Sequence, residues 1–206
     1  MTEKPETDAR HSLSNRIAEP IARFIARSGI TPNMLTWLGL LLNIGVAVVL
    51  AWGYLFVGGF LVLAAGAFDL LDGAVARVTG RTSKFGALLD STIDRFSEAA
   101  VLFGLLAYFA MQNHVQGTLV VFLALVGSFA VSYVRARAEG LGLQCGVGWF
   151  TRPERVVLLA LGLVLSPLPY ALLAALWILA FMSNFTAGQR IYYVWKQTCD
   201  TSGTGV

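Results

Sequence analysis

The sequence predicts an all-α integral membrane protein, with six transmembrane helices preceded by an amphipathic interfacial helix. Composition is the first reason: of 206 residues, 56% are hydrophobic and 13% charged, with a mean hydropathy of +0.68. A soluble domain carries about 25% charged residues. Second, residues 28–68, 99–134 and 156–189 contain no Asp, Glu, Lys or Arg. Each is too long for one span of about 20 residues and suits a hairpin of two. Third, each holds turn residues near its middle: Trp52-Gly53-Tyr54 with Gly58-Gly59, Gln112-Asn113-His114 with Gly117, and Ser166-Pro167-Leu168-Pro169.

Residues 1–11 are polar and expected to be disordered. Over 12–28, Leu13, Ile17, Ile21, Phe24 and Ile25 fall on one helical face and Arg16, Arg23 and Arg27 on the other. Such a basic amphipathic helix is expected in the headgroup layer. Gly29 ends it, and Thr31-Pro32 supplies an N-cap and a first-turn proline for the next helix. The spans are expected at 32–52, 58–79, 84–111, 117–138, 154–166 and 170–195, the fifth short for a full crossing. Together 32–195 form one membrane domain without internal repeats, and 196–206 are a polar tail.

Every Lys and Arg lies before residue 28, between 77 and 95, between 135 and 155, or at 190 and 196. In a six-span topology these regions share one side, so the positive-inside rule places both termini and all charged loops in the cytoplasm. The net charge of +3 forms no single basic face, which excludes a nucleic-acid surface. No cleavable signal peptide is expected, because about 30 polar or amphipathic residues precede the first apolar run. Cys145 and Cys199 both fall on the reducing side and indicate neither a disulfide nor zinc.

The second and third spans carry an aspartate constellation. Asp69 and Asp72 are three residues apart and Asp90 and Asp94 four apart, so each pair shares one helix face. Mirroring the two helices about a turn near Gly80-Arg81 sets Asp72 level with Asp90 and Asp69 level with Asp94. Four ionised carboxylates need compensation inside a membrane protein. An all-oxygen cluster suits hard cations such as Mg²⁺, Mn²⁺ or Ca²⁺, and a pair about 4 Å apart suits phosphoryl chemistry. Gly73 and Ala76 leave the second helix bare beside the acids, Gly86 does the same on the third, and Arg77 is placed to bind a phosphate.

The pattern D-x-x-D-G-x-x-A-R, eight residues, G-x-x-x-D-x-x-x-D, complete from Asp69 to Asp94, resembles the signature of the CDP-alcohol phosphotransferases. Six helices after an amphipathic one also match that family. The resemblance implies two metal ions, Mg²⁺ or Mn²⁺, held by Asp69, Asp72, Asp90 and Asp94. It makes Asp94 also the general base, taking a proton from an acceptor hydroxyl that attacks the β-phosphate of a CDP-lipid and expels CMP. Gly73, Arg77 and Ser83 would line the nucleotide and diphosphate site with Asn33, Met34, Leu35 and Thr36, although Thr31-Pro32-Asn33 also has a plain capping reading. Family members are homodimers, and the Gly- and Ala-rich faces of the third and fourth spans would suit one.

The signature leaves the acceptor open. Arg155 and Arg190 bracket an uncharged run, so each sits at membrane depth and needs an anion. With the Ser132 hydroxyl they would recognise a phosphate on the acceptor. These segments are similar to those of phosphatidylinositol-phosphate and archaetidylinositol-phosphate synthases, which implies inositol 1-phosphate as acceptor and CDP-diacylglycerol or CDP-archaeol as donor. The phosphatidylglycerophosphate branch, with glycerol 3-phosphate, is the alternative. A structural ion-pair network of the aspartates with Arg77 and Arg95 is the bland reading. A cation-coupled transporter would spread polar residues through both membrane halves, whereas all charge here is on one side. A membrane prenyltransferase would need a second Asp-rich motif.

Overall fold

The structure is a computed structural model that describes residues 31–79 and 83–202, without the side chains of 70–79 and 200–202. The expected disordered N-terminus, the amphipathic helix over 12–28 and the turn near Gly80-Arg81 lie outside the described residues. Six α-helices follow in order: α1 (Pro32–Ala51), α2 (Leu55–Thr79), α3 (Lys84–Met111), α4 (Val115–Gly140), α5 (Arg152–Val164) and α6 (Ala171–Ser202). The described residues contain no strand.

Among the described residues, three helical segments are long and apolar enough to cross a membrane: α1, α4 and the Ala171–Cys199 part of α6. Within α2 the stretch Leu55–Asp69 is a shorter apolar helical segment. The 13 residues of α5 reach about 20 Å at 1.5 Å per residue, short of a 30 Å hydrocarbon core. α6 runs on to Ser202 instead of ending near 195, since no helix-breaking residue intervenes before Gly203.

The connections show why the helices stop. Gly53 turns at φ +88°, a conformation that L side chains rarely adopt. At the α3–α4 turn Asn113 takes φ +53°, and His114 Nδ1 accepts the Gly117 N–H at 2.9 Å. α5 begins with Thr151 as N-cap, Pro153 in the first turn and Glu154 closing a capping box, the Thr151 N–H donating to Glu154 Oε2 at 2.9 Å. Gly58, Gly59 and Gly117, read from the sequence as turn residues, lie inside helices. Their role is close packing. A Cβ on Gly59 would stand 2.8 Å from the Val164 backbone nitrogen, and one on Gly117 would stand 2.4 Å from Phe109 Cδ1.

The chain divides into two compact units, one of Met1–Gly45 and Ala64–Glu98, the other of Val46–Leu63 and Ala99–Val206. In the second, α4 and α5 both pack along α6. Its core is Leu102, Leu105, Val120, Val121, Ala124, Leu163, Leu176 and Leu179, all essentially inaccessible. Small residues bring the helices together: a Cβ on Gly127 would meet Ser183 Cβ at 2.9 Å, and one on Gly162 would meet Ala175 Cβ at 2.5 Å. Exposed Phe103, Phe122, Leu161, Phe181 and Phe185 give this unit an apolar exterior, with Trp52, Tyr54 and Tyr170 exposed at the turns. Aromatic residues at helix ends suit a membrane–water interface.

Candidate active site

The first unit holds the aspartates. Asp69 is on α2, and Asp90 and Asp94 lie one turn apart on α3; all three are half-buried. Asp72 shares the α2 face with Asp69 by register, but its side chain, like those of Gly73 and Arg77, lies outside the described residues. α1 approaches α2 closely at Gly39, where a Cβ would stand 2.9 Å from Asp69 Oδ1. Among the described residues no three Asp, Glu, His or Cys side chains close on a common cation position. Asp94 Oδ2 lies 3.6 Å from Arg95 Nη1, so one pair of the bland ion-pair reading is present.

Asn33, Ser83 and Gly86 come together at the starts of α1 and α3. Ser83 Oγ accepts the Gly86 N–H at 2.9 Å, and a Cβ on Gly86 would stand 3.0 Å from that oxygen and 3.4 Å from Asn33 Oδ1. Ser83 is therefore an N-cap whose hydroxyl hydrogen is still able to donate. The rest of the Asn33–Thr36 group divides. Leu35 and Thr36 are buried, Met34 is exposed, and Thr36 Oγ1 donates back to the Pro32 carbonyl at 3.1 Å. Leu35 serves the core, leaving Asn33 as the polar side chain directed toward α3.

The second unit holds the arginines. Arg155 and Arg190 are 3% and 4% exposed, extreme values for guanidinium groups. Arg190 Nε donates to the Val147 carbonyl at 2.8 Å and Nη1 to the Val131 carbonyl at 2.7 Å. Its Nη2 makes no hydrogen bond to the described residues. Arg135 is tied to Glu139 on the exposed face of α4 at 2.8 Å. Ser132, half-buried, follows the Val131 carbonyl that holds Arg190.

A buried cation is costly unless it is paired or hydrogen-bonded. A fork held at two donors by carbonyls presents its remaining N–H groups in a fixed direction, which suits bidentate capture of a phosphate. Sequence reasoning had no access to the carbonyls of Val131 and Val147, because a backbone acceptor has no residue signature. Nor did it single out Gly39 and Gly148.

Comparison with known proteins places the chain. Residues 29–187 match the CDP-alcohol phosphatidyltransferase family. The phosphatidylinositol phosphate synthase of Mycobacterium marinum is 41% identical over 190 residues, covering 87% of this chain and 80% of that protein. The archaetidylinositol phosphate synthase of Methanothermobacter thermautotrophicus is 38% identical over 196 residues, covering 92% and 98%. The crystal structure of the Mycobacterium tuberculosis phosphatidylinositol phosphate synthase with CDP-DAG bound is similar at a TM-score of 0.81 and 39% identity, covering 87% of this chain and 94% of that one. The same enzyme solved with manganese and citrate gives 0.81 and 38%, covering 86% and 88%. The chain belongs to the CDP-alcohol phosphatidyltransferase family.

Proposed function

We propose that the chain transfers the phosphatidyl, or archaetidyl, group of a CDP-activated lipid to a hydroxyl of inositol 1-phosphate, releasing CMP. The observation that carries the choice of acceptor is the pair of buried guanidiniums, Arg155 and Arg190, with the Arg190 fork held by the Val131 and Val147 carbonyls, an arrangement that suits an anion such as the acceptor's phosphate. Relatives named for inositol-phosphate products, near 40% identity, support the same choice.

The donor set suits hard divalent metal. Asp69, Asp90 and Asp94 offer only carboxylate oxygens, and bare Gly39 leaves Asp69 room. Two ions, Mg²⁺ or Mn²⁺, held by Asp69, Asp72, Asp90 and Asp94 would neutralise the diphosphate and polarise its phosphorus. Asp94 then accepts the proton of the acceptor hydroxyl as its oxygen bonds to the β-phosphorus and the bond to the CMP oxygen breaks. Asn33, Ser83, Gly73 and Arg77 hold the CDP moiety. Met34, Leu35 and Thr36 shape the same end of α1. Arg190, Arg155 and Ser132 hold the acceptor phosphate.

The reading extends to the enzyme's setting. The distribution of Lys and Arg supports a multi-pass protein of the cell membrane, a domain over 32–195 with six spans, and a cytoplasmic active site and termini. The segment 12–28 is an interfacial helix and 196–206 a cytoplasmic tail; the functional form is a homodimer.

The test is CMP release by purified enzyme with CDP-diacylglycerol and Mg²⁺, offered inositol 1-phosphate, glycerol 3-phosphate, free inositol or serine. Release with inositol 1-phosphate alone is expected. Release only with glycerol 3-phosphate would move the chain to the phosphatidylglycerophosphate branch. Release that appears only with CDP-archaeol would change the donor and keep the acceptor.

A further inference from the structure

Between α4 and α5 runs a segment, 141–151, without regular structure. Exposed loops are usually the least anchored part of a membrane protein, but this one is fastened along its length. The Leu143 N–H donates to the Ala138 carbonyl at 2.9 Å, holding its start to the end of α4. The Gln144 carbonyl accepts from Gln197 Nε2 of α6 at 2.9 Å. Cys145 is 2% exposed, turned into the protein. The Val147 carbonyl accepts from Arg190 Nε, and Thr151 caps α5.

Gly148 stands where the segment meets Arg190. Its φ of +128° is a conformation that L side chains rarely adopt. A Cβ there would stand 2.8 Å from Thr186 Cγ2, 3.1 Å from Arg190 Nε and 3.4 Å from Arg190 Nη2. Thr186 is 1% exposed on a helix, so its methyl has little room to give way. Backbone conformation and space thus both call for glycine at this position. The glycine lets the preceding Val147 carbonyl reach Arg190 Nε while the Val131 carbonyl of α4 holds Nη1.

We propose that the 141–151 strap positions the Arg190 guanidinium for the phosphorylated acceptor, and that Gly148 is the positioning residue that lets the strap close on it. The proposal rests on the reading of Arg190 as a ligand of the acceptor's phosphate. Gly148 touches no substrate. It acts through Arg190 by fixing which N–H groups are spent on the protein and which face the ligand.

The experiment compares apparent KM for inositol 1-phosphate and for CDP-diacylglycerol in the wild type and in Arg190→Ala, Gly148→Ala, Gly146→Ala and Gln197→Ala, all in the full chain. Gly148→Ala is expected to raise the acceptor KM about tenfold with the CDP-lipid KM and kcat little changed, the signature of lost binding and not of lost chemistry. Gly146→Ala, whose Cβ would meet nothing within 4 Å, is expected to match the wild type. Gln197→Ala, which cuts the strap's exposed tie, is expected to raise the acceptor KM by a smaller factor in the same direction. An unchanged acceptor KM in Gly148→Ala beside a raised one in Arg190→Ala would overturn the positioning role alone. An unchanged acceptor KM in Arg190→Ala would overturn the underlying reading of the site. If Gly148→Ala does not accumulate folded in the membrane, Gln197→Ala decides: no shift there overturns the proposal.

Discussion

The aspartate-bearing and arginine-bearing regions hold charge inside an apolar protein by opposite means. In the first unit the carboxylates are half-buried on α2 and α3, short and able only to accept. A helical backbone has no spare N–H to offer them, so the proposed metal ions would supply positive charge from outside the chain. In the second unit the guanidiniums are almost fully buried, yet one is already bonded to two carbonyls of its own chain. Arginine brings donors, and a backbone carbonyl has a second lone pair to offer, in the α4 helix at Val131 as in the loop at Val147. On the proposed reading, the arginine region is organised before its ligand binds, whereas the aspartate region would be completed by its metal ions. Preorganisation reduces the ordering cost of binding.

That contrast predicts where substitutions act. The largest effect is expected from Asp94→Asn, which keeps the shape and removes the basic oxygen. Turnover should fall by about a thousandfold, within the range for a general base. Binding of CDP-diacylglycerol, followed by titration in detergent, should hardly change. Loss of donor binding with turnover retained would reverse the assignment. Next comes Arg190→Lys, which keeps the charge and loses the fork. An ammonium cannot bond the Val131 and Val147 carbonyls and still present a planar face, so the acceptor KM should rise roughly thirtyfold, about 2 kcal/mol of charged hydrogen bonding. A lysine variant with wild-type KM would show that charge alone suffices and that the backbone clamp is incidental.

The two ends also differ in how legible they are in the sequence. The aspartates sit on consecutive helices, and helical register is a local property, so spacings of three and four residues are enough to disclose their shared faces. The start of α1 is legible for the same reason, since Thr31-Pro32 is a capping signal with a local mechanism, whereas the Thr151 and Glu154 capping box puts the start of α5 at Arg152 instead of the expected 154. The arginine clamp joins residues 131, 147 and 190, which meet only through packing of α4 and a loop against α6. Two of its three members contribute backbone, which no residue type advertises. Glycines mislead in the same way. Gly58 and Gly117 look like turn formers in the sequence and prove to be contact points between neighbouring chain segments, because bare backbone serves both purposes.

Gly39 is the counterpart of Gly148 at the aspartate end, and its substitution sharpens the comparison with the smallest expected effect. A Cβ there would stand 2.9 Å from Asp69 Oδ1 and 3.9 Å from Phe68 Cδ1, so the group that must yield is the far end of a carboxylate side chain. Such an end swings aside cheaply, and alanine favours a helix over glycine by about 1 kcal/mol. Gly39→Ala should therefore fold as well as the wild type, with an unchanged melting temperature. What it displaces is a carboxylate oxygen that a cation would use. The Mg²⁺ or Mn²⁺ concentration for half-maximal turnover should rise by roughly three- to tenfold, a shift of about 1 kcal/mol, with rate recovered at saturating metal. The acceptor KM measured at that saturating metal should stay put. A metal requirement that does not move would detach Gly39 from the aspartate set, and a raised acceptor KM would show that the two ends are not separately organised.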